Sequence, residues 1–341
     1  MVNVRMDIMD NNKKVLTISI AAYNVEKYIE HTLESLIVPE IINKLEIFII
    51  DDGSKDGTLE IAKQYERKYP NVFYAVHKSN GGYGSTVNYS LTHATGKYFK
   101  LLDGDDWFAK ESMSQFIYYL ENQTADIVLS PYYQVYTDQD NKKINIDDGS
   151  MITGTQKLEN TPIEKILPMH EICVKTKLLQ KQKERITEHC FYTDYEYVFL
   201  SLLNATTISH FELPVYCYQL GIEGQSVSIE GIRKHYLDKS KVSKQMYKWY
   251  NELYSDRFKG NHKKLLEKEL LGITDDTYTA FMTLEDAKKG KKELYEFDDS
   301  IRRNFPEIYR ITMSVKKIKL LRKTRFFSFF YLRKLYLNTF K

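Results

Sequence analysis

Four short apolar runs in the first third of the chain, each followed by a polar cluster, most constrain the fold. They cover residues 15–23, 45–52, 71–77 and 96–103. The segments between them space their apolar side chains as helices do, with helices predicted at about 58–68 and 86–95. Strands that alternate with helices of this length predict βαβ units and a parallel sheet buried on both faces.

Each predicted strand ends in polar or acidic residues. Parallel sheets bind their ligands at the carboxyl ends of the strands, so these residues should share one rim. The four clusters are Tyr23-Asn24-Val25-Glu26, Asp51-Asp52-Gly53-Ser54, Asn80-Gly81-Gly82 and Asp103-Gly104-Asp105-Asp106. Solvation of strand ends alone does not account for four such clusters in succession, and a binding site along this rim is therefore predicted.

The fourth cluster places Asp103 and Asp105 on a turn that Gly104 permits. Carboxylates of this kind suit Mg²⁺ or Mn²⁺, which are commonly shared between one or two acidic side chains and the phosphates of a substrate. On its own an Asp-x-Asp sequence is common by chance and is more often a turn with solvated acids, so its surroundings have to decide.

The surroundings carry a resemblance. The segments SIAAYNVEKYI, FIIDDGSKDGT and NGGYGSTVNYSLTHATGKYFKLLDGDDW, in this order, resemble the nucleotide-sugar-binding half of family 2 glycosyltransferases of the GT-A fold. The match covers about residues 14–110 and continues more weakly to about Ser228. It implies an α/β protein with a mixed GT-A sheet and flanking helices. Its implied activity is metal-dependent, inverting transfer from a nucleotide sugar, with UDP favoured, to a glycan or lipid-linked acceptor in surface-polysaccharide synthesis.

The resemblance also implies roles for single residues. Asp52 corresponds to the carboxylate that accepts from the nucleotide base, and Asp105 to the direct metal ligand, with Asp103 close to the ribose or a metal-bound water. Asp106 is left open between a structural role and one beside the metal. The implied donor-binding residues are Tyr23, Asn24, Glu26, Asp52, Asn80, Gly82 and Asp103, and the implied metal ligands for Mg²⁺ or Mn²⁺ are Asp105 and Asp103. Two departures from the family pattern are Ala21 in place of proline and Val87 in place of arginine.

A general base is expected about 90 residues beyond the Asp-x-Asp sequence. Asp194 opens a predicted helix where the family carries its base, although an acid there could also serve only the helix terminus. Glu196 points about 200° away on the same helix and cannot replace it. Met169, His170 and Glu171 are candidates for the acceptor side, with packing as the alternative for His170.

The basic residues concentrate at the end of the chain. Residues 314–341 hold nine Lys or Arg and no acid, which leaves the preceding 313 residues with a net charge of −6. A basic, aromatic tail on an acidic body predicts contact with an anionic membrane, through Phe326, Phe327, Phe329, Phe330 and Leu332. Packing of these aromatics on the helical region or on a second subunit is the alternative, and nucleic acid is disfavoured.

The predicted organisation is an N-terminal lead (1–13), a GT-A domain (14–228, divided at 110), a helical extension (229–313) and the basic tail (314–341). Three cysteines without a CxxC pair, together with the lack of a leader or a membrane-spanning run, predict a cytoplasmic protein. The basic tail adds the expectation that the protein lies at the inner membrane face. A non-catalytic sugar-nucleotide-binding or scaffold protein of the same fold is the alternative function. The missing last glycine of a G-x-G-x-x-G sequence disfavours a dinucleotide oxidoreductase, and the oligomeric state is left open.

Overall fold

A computed structural model describes residues 13–221, 225–253 and 257–338. Most of the predicted N-terminal lead, Gly224 and residues 339–341 lie outside the described residues. The strands are β1 (Leu16–Ala22), β2 (Leu45–Asp51), β3 (Phe73–His77), β4 (Tyr98–Asp103), β5 (Trp107–Phe108), β6 (Ile127–Leu129), β7 (Tyr132–Tyr136), β8 (Lys142–Ile146), β9 (Gln156–Lys157), β10 (Ile172–Lys175), β11 (Thr207–His210) and β12 (Tyr216–Leu220).

Helices cover both faces of the sheet and dominate the chain beyond residue 229, as predicted. They are α1 (Ile29–Ser35), α2 (Thr58–Lys68), α3 (Tyr83–His93), α4 (Lys110–Asn122), α5 (Thr176–Gln180), α6 (Asp194–Asn204), α7 (Ile229–Lys234), α8 (Tyr236–Leu253), α9 (Gly260–Thr283), α10 (Ala287–Asn304), α11 (Pro306–Ile311), α12 (Lys316–Lys323) and α13 (Phe329–Leu337). None of the described helices is long and apolar enough to span a membrane.

The larger sheet has eight strands in the order β3-β2-β1-β4-β10-β6-β11-β9. Its first four strands are parallel, and they are the four runs predicted from the sequence. Ala22 of β1 pairs with Asp51 of β2, and Ala21 pairs with Asp103 of β4, so these strands end at the same level. The polar clusters therefore meet at one rim. Antiparallel β10 makes the sheet mixed, as predicted.

The sheet is buried on both faces. Since successive side chains of a strand point to opposite sides, each strand contributes to both cores. On β4, Phe99 and Leu101 belong to the core shared with the helical region, whereas Tyr98 and Leu102 belong to the core under α1 and α4. All four are at most 1% exposed. This double burial explains why the strand reads as an almost continuous apolar run.

Two β-rich segments are each divided between the two sheets. Residues 125–137 form β6 in the large sheet and β7 in a four-stranded sheet ordered β5-β12-β7-β8. The segment 208–220 divides likewise into β11 and β12. Pro131 and Pro214 stand at these divisions, and proline cannot donate a ladder hydrogen bond. Strands β7 and β8 form an antiparallel hairpin.

Helix α3 begins three residues before the prediction. Gly82 has a φ of +78° directly before its first residue, so the chain turns into the helix at Tyr83. Gly84 lies within the helix. A Cβ there would overlap the carbonyl oxygen of Thr187. Gly84 is therefore needed for close contact with the protein's own backbone.

The basic tail packs on the helical region as two helices. A turn with positive φ at Arg325 and Phe326 separates α12 from α13 and shifts the helical phase. Phe326 and Phe329, expected at a membrane interface, are buried in the core, and that part of the prediction was wrong. Because of this turn, Phe326 and Phe329 are buried while Phe327 and Phe330 are exposed.

Candidate active site

A cavity of about 890 Å³ opens at the carboxyl rim of β1, β2 and β4. Its wall brings together residues from all four predicted clusters and from the start of α6. The predicted residues that line it are Tyr23, Asp52, Asn80, Gly82, Asp103, Asp105 and Asp194. One pocket thus combines the proposed donor, metal and base groups.

Asn24 and Glu26 do not line this cavity; their side chains hold the neighbouring loop. The Asn24 Oδ1 accepts from the backbone N–H of Lys55 at 2.9 Å, and the Glu26 Oε2 accepts from that of Gly57 at 2.6 Å. Asn24 has a φ of +54°, a conformation that asparagine tolerates better than most residues. Both residues shape the rim through the loop after β2.

Asp52 organises the glycine loop after β3. Its Oδ1 accepts from the N–H of Gly81 (2.9 Å) and the Nζ of Lys78 (2.7 Å), and its Oδ2 accepts from the N–H of Gly82 (2.8 Å). The side chain is 5% exposed. Because a carboxylate oxygen has two acceptor sites, Oδ2 keeps one for a further donor. Lys78 was not singled out in the sequence, since nothing local marks it as the partner of Asp52.

The acidic turn gathers three carboxylates. Ligand oxygens of Asp103, Asp105 and Asp106 lie within 4.8 Å of one another. The Oδ1 of Asp103 is buried and has no hydrogen-bond partner among the residues that the structure describes. Burial, the charge of Asp105 and the charge of Asp194 raise the pKa of Asp103 well above its usual range, while the Tyr83 hydroxyl lowers it. Burial also raises the pKa of Asp105.

Asp106 has a structural role. Its Oδ2 accepts from the Tyr216 hydroxyl at 2.5 Å, and its Oδ1 accepts from the backbone N–H of Gln219 at 2.7 Å. The same hydroxyl accepts from the N–H of Asp103 at 3.2 Å. Asp106 therefore ties β12 of the small sheet to the acidic turn, and each of its oxygens already accepts one hydrogen bond.

Asp103 and Asp105 line the cavity, whereas Asp106 does not, so these two carboxylates are the candidate ligands for a divalent cation. A buried carboxylate oxygen without a donor is costly unless a positive charge or a proton compensates it. Hard oxygen ligands on a turn, open towards a large cavity, match the preference of Mg²⁺ and Mn²⁺ for a few carboxylates plus substrate oxygens. The donor set therefore fits the predicted ion.

Asp194 is the first residue of α6 and faces the same cavity. Burial raises the pKa of its carboxyl; the charge of Lys239 and the N–H groups of Asp194 and Tyr195 lower it, and Asp276 raises it. The N-cap position belongs to Thr193. Glu196 points elsewhere, as predicted, since its carboxylate accepts from the backbone N–H and the hydroxyl of Thr187.

The far wall comes from the helical extension, which sequence reasoning did not connect with the site. Asp276 of α9 accepts from the Tyr195 hydroxyl at 2.6 Å and lies 3.3 Å from the Nζ of Lys239 on α8. Phe191, 45% exposed, stacks on His235 with ring centroids 3.6 Å apart. No local sequence signal marks these residues, because their partners are separated by up to 81 positions.

Of the three acceptor-side candidates, two line the cavity and one does not. Met169 and His170 line the cavity, and the His170 ring is stacked between Tyr132 and Tyr218. Burial and the nearby Lys100 lower the pKa of His170 to about 3, so the ring is neutral. Glu171 does not line the cavity; its carboxylate accepts from the backbone N–H of Asp148.

Comparison with known proteins agrees with this geometry. The family described as Glycosyl transferase family 2 matches residues 17–180, from β1 to α5. Over these residues the chain is similar to family 2 glycosyltransferases. The resemblance stated from the four clusters is thereby confirmed.

Two bacterial proteins are similar to part of this chain. An uncharacterised glycosyltransferase of Mycoplasma genitalium, MG025, is 34% identical over 125 residues, which are 36% of this chain and 41% of that protein. The minor teichoic acid biosynthesis protein GgaB of Bacillus subtilis is 33% identical over 114 residues, 33% of this chain and 13% of that protein. The matched region thus spans less than half of these relatives.

The fold extends further than the sequence similarity. The structure of S. aureus TarS residues 1–349 in complex with UDP-GlcNAc superposes with a TM-score of 0.54 at 19% identity. It covers 89% of this chain and 92% of that one. The likeness thus includes the helices beyond the family 2 match.

Proposed function

We propose that the chain transfers a sugar from a nucleoside diphosphate sugar to a hydroxyl group of a glycan or lipid-linked acceptor, with inversion at the anomeric carbon. The observation that carries the proposal is the presence in one cavity of two carboxylates available for a cation, Asp103 and Asp105, and of a third, Asp194, at a helix start. The family 2 match supports a transferase. The UDP-GlcNAc complex of TarS favours a UDP-linked donor, and the GgaB relative favours a surface polymer as the product.

The donor side lies over the parallel strands. The remaining acceptor site on the Asp52 Oδ2 suits an N–H of the nucleotide base, and Tyr23 and Asn80 line the same side of the cavity. Asp103 and Asp105 would hold Mg²⁺ or Mn²⁺, whose charge stabilises the diphosphate as it leaves. Without that charge, a diphosphate would meet the acidic turn with repulsion.

Asp194 is the proposed general base. A hydroxyl nucleophile needs its proton accepted as it attacks, and a carboxylate with a raised pKa does this well near neutral pH. The Lys239 charge opposes that rise and favours the ionised, proton-accepting form. The acceptor must then lie beside α6, where the side chains of Phe191, Tyr195 and Asp276 offer an aromatic face and polar groups to a sugar ring.

The test separates donor binding from transfer. UDP affinity is measured by calorimetry with Mn²⁺, and transfer is measured as UDP release from UDP-GlcNAc and other UDP-sugars with an envelope extract as acceptor. Asp194→Asn should bind UDP as the wild type does and lose transfer about 100- to 10,000-fold. Asp105→Ala should lose metal-dependent UDP binding as well.

The matched control is Asp140→Asn, an exposed acid on the β7–β8 hairpin. It should leave both measurements unchanged. Wild-type transfer by Asp194→Asn would refute the assigned base. UDP-sugar binding without turnover of any donor in the wild type would favour the non-catalytic alternative.

A further inference from the structure

A surface away from the cavity combines exposed aromatic rings with cations. It is formed by α10, by α13 and by the turn before α13. A groove of about 430 Å³ in it is lined by Lys288, Lys291, Lys292, Tyr295, Arg325 and Phe330. We call this groove, together with Phe327 and Tyr331 beside it, the basic aromatic face.

The aromatic side chains of this face are unusually exposed. Phe327 is 80% exposed, Tyr331 64% and Phe330 48%. On α13, Phe330, Tyr331, Lys334 and Leu335 are all exposed and span an arc of about 140°, while Phe329 on the opposite side is buried. A contiguous exposed apolar surface of this kind is typical of an interaction site.

The charges of the face are positive and partly uncompensated. Lys291 places its Nζ 5.5 Å from the Phe327 ring and 5.3 Å from the Phe330 ring. The charge of Lys292 is compensated, because its Nζ lies 3.9 Å from the Glu296 carboxylate. Residues 314–338 contain no acid. Some cations of the tail are used internally, since Arg322 pairs with Asp298.

We propose that the basic aromatic face docks on an anionic lipid bilayer. Phe327, Phe330 and Tyr331 enter the headgroup region, and Lys291 and Arg325 contact lipid phosphates. Charge complementarity selects this occupant. A second copy using the same face would bring like charges together, and this disfavours a symmetric dimer.

The position of α13 gives the docking a consequence. Tyr336, on the buried side of this helix, lines the active-site cavity. Phe330 is six residues away, about 9 Å along the helix axis. Docking through this face would therefore bring the helix that lines the cavity to the membrane, where a lipid-linked acceptor resides. Only this consequence depends on the proposed function; the docking does not.

Vesicle co-sedimentation of the full chain tests the proposal. Vesicles of phosphatidylcholine with phosphatidylglycerol should bind the chain, and vesicles of phosphatidylcholine alone should bind it much more weakly. Each cation beside an anionic membrane raises the binding constant by a factor of about five. Lys291→Ala with Arg325→Ala should therefore weaken vesicle binding about twenty-five-fold. Phe327→Ala with Phe330→Ala should weaken binding to the same vesicles at least about tenfold.

The control removes two cations elsewhere. Lys63 on α2 and Lys142 on β8 are exposed, and their double alanine variant loses the same charge. It should keep wild-type vesicle binding, and every variant should keep its melting temperature. Equal losses in the control and the Lys291/Arg325 variant would overturn the assigned face. Absence of binding to the anionic vesicles would overturn the proposal. It would also be overturned if sedimentation velocity showed a dimer of the wild type and a monomer of the Phe327→Ala, Phe330→Ala variant.

Discussion

Replacing Asp103 by asparagine should stabilise the metal-free protein while removing its response to metal. Asp103 and Asp105 have ligand oxygens within 4.8 Å of each other. Two full charges at that distance repel by about 3.5 kcal/mol at an effective dielectric constant of about 20. Burial of the Asp103 Oδ1 without a partner adds to the cost. The asparagine side chain carries no charge, so the substitution removes the repulsion and keeps the shape of the side chain.

The effect depends on pH in a defined direction. Burial and Asp105 raise the pKa of Asp103 above its unfolded value, so the folded state holds a proton that the unfolded state has lost. Stability is therefore lost as the pH rises above the unfolded pKa of about 4 and through the folded pKa. The wild type and Asp103→Asn should melt alike near pH 4, and the variant should melt higher at pH 8.

Differential scanning fluorimetry in EDTA checks the magnitude. Relief of about 3.5 kcal/mol corresponds to a rise of roughly 5 °C at pH 8 for a chain of this size. With Mn²⁺ at one hundred times its dissociation constant, the wild type gains about 2.7 kcal/mol and the variant gains little. Asp140→Asn should behave as the wild type. A variant less stable than the wild type in EDTA at pH 8, or equally stabilised by Mn²⁺, would refute this reasoning.

Three further predictions concern the site and its support. Transfer should fall on the acid side as the Asp194 base is protonated, and Asp194→Asn should abolish that limb of the pH–rate profile; a limb that persists in the variant's residual rate argues for another group. Gly84→Ala should destabilise the fold by about 1–3 kcal/mol in urea titration, because the Cβ would meet the Thr187 carbonyl, whereas a neutral outcome would show that α3 can shift. Tyr216→Phe leaves the Asp106 Oδ2 without its donor and should cost about 1–3 kcal/mol, and an unchanged urea midpoint would contradict the structural role of Asp106.

The sequence by itself determined the sheet half of the protein. The strand runs, the polar clusters after them and the helix beginning at Asp194 are local patterns, and parallel pairing then brings the cluster of Asp52 and that of Asp103 to one rim. The family 2 resemblance rests on these same segments. Local periodicity was enough because each of these features is determined by residues within a few positions of one another.

Only the tertiary structure decided how the rest of the chain serves the site. Asp276 reaches Tyr195 across 81 positions, and Asp106 reaches Tyr216 across 110, so neither contact leaves a periodic trace in the sequence. The positive-φ turn at Arg325 shifts the phase of the tail helices and decides which aromatics are buried. Long-range packing selects these partners by shape and by unpaired polar groups, which spacing along the chain does not encode.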